Sequence, residues 1–225
     1  MEEQTMEEQT VEEQTIEEQT TGCLVCGAPL EYLQSQIEME CTYCHKTFMS
    51  NARCVNGHFI CDSCHEQMGL RVIEDICRHT DSKDPVAIMK KIILSPYIYM
   101  HGPEHHVLVG SALLAAYKNA GGELDLDAAL EEMRNRGAQV PGGICGLWGT
   151  CGAAVSTGIF VSLITGASPL SGKEWGLCNE MTSRSLGAIA KTVGPRCCTR
   201  DSYTAILEAV NFVGEKFGIW MESNL

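Results

Sequence analysis

The sequence predicts a mainly α protein: a small cysteine-rich N-terminal module, then an all-α bundle of five or six helices. Two observations predict it. Eight of the thirteen cysteines and four of the seven histidines fall between residues 21 and 80, where Cys-x-x-Cys pairs recur at the spacing of metal ligands. From Asp84 onward, helix start and stop signals repeat, and nothing alternates with the two-residue period of a strand.

Residues 1–20 are four copies of a pentapeptide, an apolar residue followed by Glu-Glu-Gln-Thr. A five-residue period turns about 140° per step on a helix, so no apolar stripe forms. The expectation is a disordered acidic tail. It carries eight glutamates and no Lys or Arg, so the rest of the chain holds only -5 of the formal charge of -13. Without clustered basic residues, that body argues against nucleic acid as a partner and leaves a protein or a small molecule.

Residues 21–80 are expected to form a double metal-binding module. Cys23-Leu-Val-Cys26-Gly27 and Cys41-Thr-Tyr-Cys44 read as two knuckles, each turning two thiolates toward one ion. Leu30–Glu40 between them is expected to supply a hairpin. Cys54, His58, Cys61 and Cys64 complete eight N/S ligands, which suit two structural zinc ions in a zinc-ribbon or treble-clef-like module. The ligands can pair in sequence order. They can also interleave, with Cys41/Cys44 joining Cys61/Cys64 and Cys23/Cys26 joining Cys54/His58; the spacing allows both. His45, His65, Cys77 and His79 are spare donors, read as surface or packing residues.

The part from 84 to 225 is expected to be helical. Pro85 opens a run through Leu94, Glu104 through Asn119 ends at Gly121-Gly122, and Asp125 caps a helix through Arg136. A small-residue helix is expected over 149–165. Ser171-x-x-Glu174 reads as a capping box for a helix reaching about Val193, and Asp201 or Ser202 starts the last one. No charged residue lies between Arg136 and Lys173, and Ile144–Ala167 is long enough to span a bilayer. Its Gly, Ser, Thr and Cys content and the absence of basic flanks favour a buried core helix and no membrane association. The polar, acidic start and the metal-type cysteine spacing favour a reducing, cytoplasmic setting over a secreted disulfide scaffold.

A second set of chemistry-bearing residues lies in this half. His101, Glu104, His105 and His106 surround a helix start, and Cys145, Cys151, Cys178, Cys197 and Cys198 sit mostly beside glycines or helix ends. Cys151 is expected at a helix N-terminus, where the dipole lowers a thiol pKa. Together the cysteines could hold an iron–sulfur cluster, another metal or a reactive dithiol, with the histidines and Glu104 as ligands or proton-transfer groups. That is a redox or metal/thiol-dependent enzyme, or a carrier of sulfur or electrons. The alternative is a non-catalytic adaptor whose zinc module docks a protein or nucleic acid.

The segment Cys145–Cys198 resembles helical proteins ascribed redox activity and known by a spaced Cys…Gly-Cys-Ala…Gly…Cys…Cys pattern; here Thr150-Cys151-Gly152-Ala153 stands where they have Gly-Cys-Ala. More broadly, residues 23–217 resemble a domain family of unknown function from anaerobic bacteria and archaea. The likeness rests on the knuckles, the Asn-Gly-His…Cys-Asp-x-Cys-His stretch at 56–65 and the His-Gly-Pro-Glu-His-His motif at 101–106. Some members are similar to domains attached to methyltransferases, so the resemblance also implies an accessory role beside such an enzyme.

Overall fold

The computed structural model describes residues 22–192, 194–195 and 197–224; the pentapeptide repeats at 1–20 lie outside it. Among the described residues it holds eight helices and one two-stranded sheet. They fall into two compact units, one taking in the chain up to Met68 with Leu94–Tyr97, the other Gly69–Ile93 with all from Ile98 on.

In the first unit, β1 (Leu30–Glu40) pairs antiparallel with β2 (Thr47–Cys54), from Leu30 opposite Cys54 to Glu40 opposite Thr47. The register shifts between Tyr32 and Ile37, so the longer strand carries a bulge. Leu30–Glu40 is therefore one arm of a hairpin and not a hairpin by itself. The second knuckle is the turn that joins the two arms.

Both knuckles use the same backbone. The amide of Gly27 donates to the carbonyl of Cys23 (2.7 Å) and that of His45 to Cys41 (2.9 Å), while Cys23 and Cys41 donate to Ala28 and Lys46. The residue after each second cysteine is left-handed, Gly27 at φ 71° and His45 at φ 57°. Only glycine takes that region without steric cost, so His45 carries local strain.

α1 (Asp62–Arg78) begins inside the cysteine-rich stretch and buries Leu70, Ile73, Glu74 and Cys77 on one stripe. This helix was not anticipated, because the ligand spacing at 61–65 masked the period-3.6 pattern that follows it. The remaining helices are α2 (Pro85–Ile93), α3 (His105–Asn119), α4 (Leu126–Gly137), the single turn α5 (Ile144–Leu147), α6 (Gly152–Thr165), α7 (Lys173–Ala190) and α8 (Cys198–Phe217). The expected count of five or six omits α1 and the single turn α5. Asp125 caps α4 as expected, accepting from the Ala128 amide at 3.2 Å. Ser171 does not cap α7; its hydroxyl accepts from the Ser168 amide, and Gly172 precedes the helix. The last helix starts at Cys198, earlier than Asp201, with Cys197 in the cap position.

α3 is central to the second unit: it is buried from His105 through Tyr117 and packs against α2, α4, α6 and α8. A helix apolar on every side must be enclosed. Leu108, Leu113 and Leu114 of α3 are fully buried, as are Met133, Phe160 and Phe212 of its neighbours, each contributing about 1.5–3 kcal/mol by leaving water. Small residues set the spacing. A Cβ on Gly158 would meet Thr182 of α7, and one on Gly110 would meet Met133 of α4. α6, the core of the charge-free stretch, is thus a packed helix. No helix among the described residues is long and apolar enough to cross a membrane.

Candidate functional site

Two quartets in the first unit have the geometry of metal sites. Cys23, Cys26, Cys54 and His58 form one, and Cys41, Cys44, Cys61 and Cys64 the other; in each, all four ligand atoms lie within 4.8 Å of one another. The structure therefore selects the interleaved pairing. Nδ1 of His58 lies 3.3 Å from Cys26 Sγ, 3.5 Å from Cys54 Sγ and 3.8 Å from Cys23 Sγ. The sulfurs of Cys26 and Cys54 are 3.9 Å apart, and those of Cys44 and Cys61 3.8 Å. Tetrahedral ligands on zinc stand about 3.5–3.8 Å apart, given bonds of about 2.0 Å to nitrogen and 2.3 Å to sulfur.

The interleaving follows from local structure. The antiparallel register places Cys54 beside Leu30, next to the first knuckle, and the first turn of α1 carries Cys64 to the second. Gly57, at φ 85°, lets the chain turn back so that the Cys54 amide can donate to the His58 carbonyl at 3.0 Å. Amides then point at the sulfurs: Val25 to Cys23 (3.4 Å), His58 to Cys54 (3.3 Å) and Cys61 to Cys41 (3.3 Å). The Ala28 amide and the Asn56 side chain draw the Cys26 thiol down to about 6. At Cys41 burial opposes ionisation, but the amides of Cys61, Cys44 and Tyr43 outweigh it, and the thiol falls to about 6. Such sulfurs are thiolates at neutral pH, as metal binding requires. Burial and then the sulfurs of Cys61, Cys44 and Cys41 push Cys64 up to about 12, a repulsion that a bound cation would relieve.

The spare donors stand apart from both quartets. His45 pairs with Glu40 and His79 with Asp75 at the surface. His65 packs against the Tyr97 ring, and burial raises the thiol of Cys77 in the core of the second unit.

The second unit contains a cavity of about 220 Å³ lined by His101, His105 and His106, by Cys145, Cys151 and Cys198, and by Asp201. Gly102, Gly142, Gly143 and Gly152 make much of its wall. These residues come from the loop before α3, the α4–α5 connection, the starts of α5 and α6, and the start of α8. An adjoining cavity of about 610 Å³ shares Cys145, Cys151 and Asp201 and includes Arg200.

The histidines differ in role. His105 is buried, with Nε2 donating to the Tyr99 carbonyl (2.9 Å) and Nδ1 accepting from the Ser202 hydroxyl (3.1 Å). Burial holds it below its ordinary value, neutral at pH 7. His106 donates from Nδ1 to the Val140 carbonyl at 2.9 Å, which fixes its tautomer and turns the Nε2 edge onto Gly152. Glu104 is buried outside the cavity, its carboxylate accepting from the Tyr99 amide at 3.0 Å. It holds the loop before α3.

Among the cysteines, Cys145, Cys151 and Cys198 face the cavity, while two lie elsewhere. Cys178 is on α7 beside Ser162 and Thr165, and Cys197 caps α8, its sulfur accepting from the Arg200 amide at 3.5 Å. Cys151 does sit at a helix start, ahead of α6, yet its thiol is raised rather than lowered. Burial is the largest cause, with the Asp201 carboxylate adding to it; the amides of Ala153 and Ala154 pull the other way and lose. The amides at the helix start are the smaller effect at this half-buried thiol.

Sequence reasoning missed Asp201 and Arg200 as site residues, taking Asp201 only as a helix start. Asp201 is 5% exposed; its Oδ1 accepts from Arg200 Nε (3.0 Å) and Nη2 (2.9 Å), and Cys151 Sγ lies 3.9 Å from Oδ2. The adjacency of Arg200-Asp201 to Cys197-Cys198 was the available signal.

Comparison with curated proteins and with solved structures gives no match. Residues 73–225, which hold the whole cavity and leave both quartets outside, match the family described as "Family of unknown function (DUF5714)". With more than half of its length matched, the chain belongs to that family.

Proposed function

We propose that the chain is a zinc-stabilised thiol protein, in which two zinc ions fold residues 21–80 and the helical domain at 84–225 carries out redox or sulfur-transfer chemistry on a small molecule. The observation that carries the second half is the meeting of Cys145, Cys151 and Cys198 with His101, His105, His106 and Asp201 around one cavity of about 220 Å³. Those groups are far apart in sequence. The quartets support the first half, since four closed N/S positions suit structural zinc and leave no site for substrate. The cavity's donors surround a space instead of converging as the quartets do, which favours reaction of a guest with a thiol over a closed iron–sulfur cluster. Open thiols of this kind belong in a reducing, cytoplasmic compartment.

The test is metal content and the visible spectrum of protein purified without oxygen, together with mass-spectrometric mapping of iodoacetamide-labelled cysteines. Two zincs, no visible absorption and labelling of cavity cysteines support the reading. Iron with visible absorption would replace it with a cluster. Two zincs with every cavity cysteine inert would leave the adaptor role, a zinc module docking a partner on a helical scaffold.

A further inference from the structure

Asp201 is a buried carboxylate in a cavity whose other polar groups are thiols and imidazoles, and its two oxygens have different neighbours. Oδ1 is held by the Arg200 guanidinium at 2.9–3.0 Å, and Arg200 is itself anchored on the Pro195 carbonyl at 3.3 Å. Oδ2 is thereby presented to the thiol of Cys151, which donates toward it across 3.9 Å. Both residues border both cavities, so a guest in either can reach the sulfur.

From this geometry we infer that Asp201 is the proton acceptor for Cys151, and that Cys151 attacks a small, soft electrophile admitted to the cavity. The inference rests on the thiol reading of the cavity and names its nucleophile, its base and its substrate class. In the step, the Sγ–H bond breaks and the proton passes to Asp201 Oδ2. The sulfur forms a bond to the electrophilic carbon or sulfur of the guest, and the leaving group departs with the electrons of the bond it loses. With a carbon electrophile the product is a thioether; with a small disulfide it is a mixed disulfide plus one thiolate, and no further oxidant is needed. A base is required because burial keeps the thiol protonated. Arg200 positions the carboxylate by holding Oδ1, which leaves Oδ2 toward the thiol. Cys145, Cys198, His101 and His106 also border the guest.

The experiment follows alkylation of Cys151 by iodoacetamide in the full, metal-loaded chain at pH 7, read peptide by peptide. Asp201→Asn is expected to slow labelling of Cys151 by about tenfold or more while leaving Cys145 nearly unchanged, and Asp201→Glu to restore part of the rate. If Asp201 were only a neighbouring negative charge, its removal would ease ionisation of the thiol and speed the labelling; that outcome overturns the inference alone. A Cys151 inert in the unaltered chain overturns the thiol reading of the cavity as well. Should Asp201→Asn fail to fold, the unaltered chain decides by solvent isotope. Slower labelling in deuterated buffer supports proton transfer in the step, and an equal or faster rate overturns it.

Discussion

At Gly152 a hydrogen in place of a methyl leaves room for the His106 ring at the cavity wall. A Cβ there would overlap the imidazole of His106, which is pinned from its other side by the Val140 carbonyl. Gly152→Ala is therefore expected to cost about 1–3 kcal/mol through overpacking and to alter the labelling of neighbouring Cys151, as thermal melts and alkylation rates will read. His105 gives a pH-dependent counterpart. It is neutral in the folded chain, and on unfolding it regains its ordinary value of 6.5. Below pH 6.5 the unfolded chain binds a proton that the folded chain refuses, so stability is present above that pH and is lost as pH falls toward the depressed folded value. Denaturant midpoints between pH 7 and 5 should fall for the unaltered chain and fall less steeply for His105→Gln, which lacks the titrating ring.

The two knuckles form one structural element used twice, with different residues at the left-handed position. Gly27 takes a left-handed turn that suits glycine; His45 takes the same turn with a side chain. His45→Val, β-branched at that φ, is expected to weaken the second quartet by about 1–2 kcal/mol, seen as faster loss of zinc to a chromophoric chelator. Loss of the exposed His45–Glu40 pair adds little, since both side chains are largely in water. The β1–β2 ribbon leaves Tyr32 and Met49 in solvent and has no large apolar core of its own. Chelation should therefore abolish its structure while most of the helical circular dichroism survives, because the buried cluster around α3 includes no metal ligand. Loss of the helical signal together with the metal would show that the two parts fold as one.

For the whole molecule, native mass spectrometry should count two metal ions, and Cys54→Ser should remove one while keeping the ion at Cys41, Cys44, Cys61 and Cys64. A sequential pairing would group Cys54 with His58, Cys61 and Cys64, and the surviving ion would then sit at Cys23, Cys26, Cys41 and Cys44. The eight residues of the two quartets were legible as candidates because knuckle spacing is a local property: two residues between thiols fix their reach whatever the rest of the chain does. Apart from the single turn α5, the helices from Pro85 to Phe217 were legible in type and rough extent for the same reason, since caps and a 3.6-residue period act within a few turns. α1 was not, because its pattern starts among residues whose cysteine spacing dominates the reading. Tertiary structure alone decided the rest. It interleaved the quartets through strand register, and it separated Cys178, Cys197 and Glu104 from the other candidate residues. It also joined Asp201 to Cys151 across fifty positions of chain and reversed the expected shift of that thiol. Those outcomes depend on which distant groups share a cavity. Burial and long-range contact set the energies there, and neither is written in the spacing of residues along the chain.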